Sequence, residues 1–251
     1  MVTQLQITRF LNNLLDIRNI PDSSRNGMQV RSSKKDISKI AFAVDACLET
    51  FKKAKKAGAD MIIVHHGLFW KPVKREEVLD KRVQYLKNNR IALYACHLPL
   101  DMHESFGNNI NLASMLGLKD VEKFGGYHGM KIGFKGGFEK EMTLKKIETL
   151  LNKKIKARCR VLDFGNKKIR TIGIVSGGGG CAMPEIKKEK LDVLLTGELK
   201  HSDYNYAQDL GINVIEAGHY ATETVGVKAL MPLLKEKFKI ETIFIDNPTG
   251  Y

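Results

Sequence analysis

The chain has 251 residues, 43% of them hydrophobic and 27% charged, with a formal net charge of +13. That composition suits a globular protein with a core of its own, and no apolar run approaches the length of a membrane span. The four cysteines, Cys47, Cys96, Cys159 and Cys181, are widely spaced, form no C-x-x-C pair, and read as reduced packing residues of a cytoplasmic protein.

Met1 to Asp16 mixes polar and apolar residues and contains no signal-peptide core. The first half then alternates strand and helix. A strand is expected over 40–44, a helix over 46–57 closed by Gly58, a strand over 61–64 and a helix over 76–88. A strand over 91–96 and a short helix over 108–116, ended by Gly117, complete it. Apolar strands separated by helices predict a largely parallel α/β sheet covered on both faces. In the second half, strands over 131–138 and 159–164 flank a helix at 144–152, and a strand over 170–175 runs into Ser176-Gly177-Gly178-Gly179-Gly180. A helix around 184–189, strand 191–195, helix 202–210, strand 212–216, helix 221–238 and strand 241–245 follow. Pro232 is expected to kink or split the long helix.

The halves align in order. Ile40-Ala41-Phe42-Ala43-Val44 corresponds to Ile172-Gly173-Ile174-Val175-Ser176, and Asp60-Met61-Ile62-Ile63-Val64 to Asp192-Val193-Leu194-Leu195-Thr196. A duplication of this kind predicts two similar, interacting α/β lobes, 1–125 and 126–251, with a site between them.

The strand ends carry the chemistry. Tyr94-Ala95-Cys96-His97-Leu98-Pro99-Leu100-Asp101 and Glu216-Ala217-Gly218-His219-Tyr220-Ala221-Thr222-Glu223 each put a histidine four residues before a carboxylate, directly after an apolar run. A third run, Met61-Ile62-Ile63-Val64, ends in His65 and His66. Open parallel sheets bind ligands beyond the carboxyl ends of their strands, and divalent first-row metals favour this mix of nitrogen and oxygen donors. On a helix beginning near Tyr220, His219 and Glu223 share a face. The adjacent histidines would point oppositely in a regular strand, unless a turn at Gly67 brings both to one cavity or each serves a different ion. His65, His66, His97, Asp101, His219 and Glu223 exceed one tetrahedral site, which favours two ions with a bridging carboxylate. Imidazole and carboxylate accept Zn, Fe, Mn, Co and Ni alike. His97 is the weakest ligand of the six and reads equally as a proton carrier. For His103, His128 and His201 the ordinary reading of a lone histidine as a hydrogen-bonded structural residue holds.

Other features carry less. The Ser176 to Gly180 run fits a phosphate cradle at a helix start or a tight strand-to-helix turn. Tyr127, His128 and Lys131 follow Gly125-Gly126 and are placed to line a cleft, and Trp70 fits packing or base stacking. From Lys145 to Arg170 ten basic residues face only Glu148 and Asp163. Such a segment attracts phosphates, nucleic acid included, although a solvated lysine-rich surface has the same composition.

Five motifs occur in an order characteristic of one family: Asn26-Gly27-Met28-Gln29-Val30, Val64-His65-His66-Gly67, His97-Leu98-Pro99-Leu100-Asp101, Gly197-Glu198-Leu199-Lys200-His201 and Gly218-His219-Tyr220-Ala221-Thr222-Glu223. With them the chain resembles, over nearly its whole length, the short form of the Nif-three-like (NGG-one-interacting-factor) family, whose members are named as GTP cyclohydrolase I type two homologues. The resemblance implies a dinuclear metal site on His65, His66, Asp101, His219 and Glu223, with Glu223 the bridge. It also implies two α/β lobes and a ring-shaped homohexamer with the sites facing an inner cavity. Where family members often carry adjacent histidines after the Gly-Glu motif, this chain has His201-Ser202.

The leading expectation is therefore a cytoplasmic hydrolase-like protein with two divalent ions per chain. The family name points to ring opening of a purine nucleotide such as GTP by metal-activated water, with His97 as proton carrier. The rival expectations are a ring that binds DNA or RNA through 145–170 and holds its metals structurally, and a metal-handling carrier without turnover.

Overall fold

A computed structural model describes residues 1–72 and 76–250. In chain order the first elements are β1 (Val2–Thr3), α1 (Gln4–Leu14), β2 (Gly27–Val30), β3 (Asp36–Ile37), β4 (Lys39–Asp45), α2 (Leu48–Lys56), β5 (Met61–His66) and α3 (Glu77–Asn88). There follow β6 (Ala92–Ala95), α4 (Leu98–Asp101), α5 (Asn108–Leu116), β7 (Lys119–Tyr127), β8 (Met130–Met142), α6 (Leu144–Ile155) and β9 (Arg160–Asp163). The last are β10 (Ile169–Gly178), a 3-10 turn (Gly180–Ala182), α7 (Met183–Lys188), β11 (Val193–Glu198), α8 (His201–Leu210), β12 (Asn213–Glu216), α9 (His219–Phe238) and β13 (Glu241–Phe244).

The chain divides into two compact units, Met1–His103 with Val227–Asn247, and Glu104–Gly226 with the tail from Pro248. In the first, the sheet order is β13-β4-β5-β6-β2. β13, β4, β5 and β6 run parallel, and β2 is antiparallel to β6. Ala41, Ala43, Ile62, Val64, Leu93 and Ala95 pack beneath Phe51 and Ala54 of α2 and Leu86 of α3. Burying such a face, rather than helix propensity, holds short helices in place. Residues 227–247 belong to this unit because β13 extends its sheet beside β4. The N-terminal segment reads as mixed, yet it forms α1, started by a capping box between Thr3 and Gln6.

The second unit has the order β7-β8-β10-β11-β12-β9. β10, β11 and β12 are parallel, while β8, β7 and β9 add antiparallel pairings. The centre of each sheet thus follows one plan. β4-β5-β6 and β10-β11-β12 are parallel triplets, each flanked beyond its third strand by an antiparallel strand, β2 or β9. The registers correspond too: Ile40 lies beside Met61 and Ile172 beside Val193. The largely parallel character expected from the sequence describes the first sheet, whereas the second is mixed. Strand direction depends on where the connection emerges, and β7–β8 is a hairpin, which leaves no helix between its strands. α6, capped by Thr143, buries Leu144, Ile147, Leu151 and Ile155 and points its lysines outward.

α9 is one helix from His219 to Phe238, so Pro232 does not split it. Among the described residues no helix is long and apolar enough to cross a membrane.

Candidate metal centre

In the first unit, β5 continues through both histidines, so that His65 is fully buried and His66 half-buried. Their rings nevertheless lie side by side, with centroids 4.7 Å apart. β6 ends at Ala95, and Cys96 and His97 lead into the short helix α4, which opens with Leu98-Pro99 and ends on the buried Asp101. That turn brings Asp101 Oδ2 to 3.5 Å from His65 Nε2. The His97 ring stands 5.1 Å from that of His65 and 5.7 Å from that of His66. Four sequence-predicted site residues are thereby gathered on the carboxyl ends of β5 and β6.

Each ring is anchored from behind. His65 Nδ1 is 2.9 Å from the Cys96 carbonyl oxygen, and His66 Nδ1 is 2.8 Å from Asp45 Oδ1. His97 Nδ1 lies 3.0 and 3.1 Å from the two oxygens of Asp22. These partners are acceptors, so Nδ1 carries the proton in every case and Nε2 becomes the donor atom to a ligand. Metal-binding histidines are held in this way by carbonyls and carboxylates. Asp22 itself is well fixed. It accepts from the backbone N–H groups of Ser24 and Leu98 and from the Asn26 amide, while Asn26 in turn accepts from the His97 backbone N–H. Burial works to raise the Asp22 pKa, but the His97, Asn26 and Ser24 bonds outweigh it and hold the carboxyl below its usual range. Trp70, its indole N–H donating to the Gly67 carbonyl, meets the His97 ring edge-on at 4.9 Å and so serves as packing for the site. The Cys96 thiol is enclosed, and its burial, with Asp101 adding to the effect, lifts its pKa far above the ordinary thiol range. It is a packing residue, not a nucleophile.

In the second unit, His219 opens α9 and Glu223 follows one turn later, which sets His219 Nε2 3.1 Å from Glu223 Oε1. His219 Nδ1 is 3.0 Å from Glu198 Oε1, the same anchoring again. Glu223 is buried. The glycine run packs against this pair. Gly177 has φ +62°, and a Cβ there would collide with Glu223 Oε1 and stand 3.1 Å from His219 Nε2. The N–H of Ser176 donates to Asn109 Oδ1, that of Gly177 to Thr222 Oγ1 and that of Gly179 to Thr196 Oγ1. With those donors committed inside the protein, the run is a tight strand-to-helix passage that leaves room for the His219 and Glu223 side chains, rather than a phosphate cradle.

His128 sits in the β7–β8 turn and His201 opens α8 on the surface, as ordinary residues. The residues that sequence reasoning missed are the anchors. Glu198 lies within the Gly197-to-His201 motif, Asp45 ends a strand, and Asp22 precedes the Asn26 motif with no local pattern to mark it.

The donors fit a divalent ion: imidazoles presented through Nε2, buried carboxylates, and residue groups able to hold a metal. The comparisons agree with the quoted motifs. The family model of Duf34/NIF3 (NGG1p interacting factor 3) matches residues 2–250. The Pyrococcus horikoshii protein named GTP cyclohydrolase 1 type 2 homolog is 49% identical, with 98% of each chain covered. An Archaeoglobus fulgidus protein of the same name is 40% identical over 98% of each. The crystal structure of TTHA1606 from Thermus thermophilus, 37% identical, matches with a TM-score of 0.91 and full coverage of both chains. The chain belongs to the Duf34/NIF3 family.

Proposed function

We propose that the two ligand groups serve one dinuclear centre, His65, His66 and Asp101 from one lobe and His219 and Glu223 from the other, with Glu223 bridging. The observation that supports this reading is the anchoring of His65, His66 and His219, each with Nδ1 2.8–3.0 Å from an oxygen acceptor, which makes Nε2 the atom each ring would offer a metal. Divalent ions held there would supply a nucleophilic water near neutral pH and polarise an electrophilic carbon or phosphorus. The chain's own contribution is a fixed set of ligand directions and a proton carrier. His97, held through Nδ1 by Asp22 and with its ring 5.1 and 5.7 Å from those of His65 and His66, gives or takes a proton at Nε2. The reaction class is hydrolysis. The relatives' shared name favours a purine nucleotide as substrate, opened at its imidazole ring. Assembly as a homohexameric ring belongs to the same reading.

The test is metal content per chain on untagged protein purified without chelators, beside Glu223→Ala, with light scattering for assembly. About two ions per chain, falling sharply in the variant, supports the centre and justifies a hydrolysis screen over nucleotides and phosphoesters. No metal after incubation with Zn, Mn or Fe removes it.

A second reading has one observation in its favour. Lys145, Arg160, Lys167, Lys168 and Arg170 are engaged by Glu148, Glu216, Asp163 and Glu141. Lys146, Lys153, Lys154, Lys156 and Arg158 remain exposed, with no carboxylate pairing them among the described residues. This cluster on α6 and just beyond it suits a nucleic-acid backbone, with the metals structural. DNA or RNA binding that falls steeply with salt and survives loss of His219 would favour it over hydrolysis.

A further inference from the structure

The five-ligand reading leaves one imidazole over. His97 comes from a different strand end than His65 and His66, yet donor nitrogens of all three lie within 4.8 Å of one another. Its ring is fixed by the same device as theirs, with Nδ1 on a carboxylate whose side chain is only 2% exposed. A proton carrier needs reach toward a substrate. It does not need to converge with two other imidazoles, which brings lone pairs together at a cost that a cation relieves.

We propose that His65, His66 and His97 form a metal site complete within the first unit, a loading site that captures a divalent ion before His219 and Glu223 engage. Three imidazoles with a fourth position left to water are the ligand count of an open zinc-type site, and Asp101 of the same unit stands beside them, 3.5 Å from His65 Nε2. Asp22, Asp45 and the Cys96 carbonyl preset all three donors, so capture requires little rearrangement. His65 is enclosed, while the His66 and His97 side chains are 20% and 19% exposed, which leaves the trio reachable from solvent on one side. This inference rests on the metal-centre reading and adds an order of assembly to it.

The experiment titrates zinc and cobalt into the full chain, reading ions per chain and the visible absorption of Co(II), for four proteins. These are the natural chain, His219→Ala/Glu223→Ala, the same pair with His97→Ala, and the same pair with Asp22→Asn. The natural chain should take two ions and the double variant one, with a Co(II) spectrum of low coordination number. Adding His97→Ala should weaken that remaining ion by at least about 10-fold, and Asp22→Asn by about 10-fold with His97 still present. Asp22→Asn keeps the test decisive if the triple alanine variant loses its circular dichroism. Two ions in the natural chain and none in the double variant would overturn the loading site and leave the dinuclear reading standing. So would a remaining ion indifferent to both His97 and Asp22. No ion in any of the four proteins would overturn the metal-centre reading and this inference with it.

Discussion

Asp60 and Asp192 hold the same post in the two units. Oδ2 of Asp60 accepts from the backbone N–H and hydroxyl of Ser38 and from the Lys39 N–H. Oδ2 of Asp192 accepts from the Arg170 N–H and from the backbone N–H and hydroxyl of Thr171. Each carboxylate stands just before the second strand of a parallel triplet and ties down the entry to the first. The aligned pairs Asp60-Met61 and Asp192-Val193 thus share a structural job as well as a register. A duplicated unit would carry such a carboxylate in both copies.

Replacing either aspartate should loosen the strand entry. Asp60, nearly enclosed and also bonded to Lys34, is the stronger case. Asp60→Asn should cost about 2 kcal/mol, since the bonds lose their charge assistance and one carboxylate oxygen becomes an amide donor facing Lys34 or the strand N–H groups. Asp192→Asn, half-buried, should cost less. Urea unfolding of the two variants and the natural chain measures both.

The same pair shapes the acid side of the stability curve. Burial acts to raise the pKa of Asp60, but Lys34, Ser38 and Lys39 outweigh it and bring it below the usual carboxylate value. For Asp192 burial is likewise outweighed, by Arg170, Thr171 and Asn166. A carboxyl with a lower pKa folded than unfolded stabilises the protein above the unfolded value, about 3.9. That stability is lost as the pH falls through the folded value. Melting temperature should therefore decline below about pH 4, and the decline should be shallower in Asp60→Asn.

Gly177→Ala tests the fit around His219 and Glu223. The new methyl would occupy the space of Glu223 Oε1 at a backbone of positive φ. The strain is on the order of 1–2 kcal/mol, too little to unfold a chain with two extensive cores. The variant should remain folded by circular dichroism and bind less metal than the natural chain. Unchanged metal content would mean that Glu223 is not a ligand in the orientation seen here.

Removing an anchor should act through its histidine. Asp45→Asn or Glu198→Gln takes away the charged acceptor of His66 or His219 while keeping the shape. Each should lower metal affinity about 10- to 100-fold with little change in unfolding free energy, read by competition with a chelator. Equal losses of stability and affinity would mark these carboxylates as structural only.

Much of this protein is legible along the chain. The apolar runs 40–44, 61–64 and 91–96, each broken by glycine or by a polar turn, announce strands because burial and chain reversal are local requirements. The imidazoles and carboxylates just beyond those runs follow from the same reading. Strand direction at the sheet margins is another matter. Nothing in Arg160–Asp163 or Met130–Met142 states whether the neighbouring strand is parallel, because that depends on where the intervening chain returns.

The sequence by itself determined the alternating elements, the placing of His65, His66, His97, Asp101, His219 and Glu223 at strand ends, and the family motifs. Tertiary structure alone decided which oxygen holds each ring. Asp22 lies 75 positions from His97, Asp45 21 from His66, Glu198 21 from His219, and the Cys96 carbonyl 31 from His65. It also decided that the glycine run turns its N–H groups inward and clears space for Glu223. The reason is physical. Periodicity and punctuation record what a segment needs of its own neighbours, whereas a hydrogen bond across a sheet depends on register, and register exists only once the strands have met.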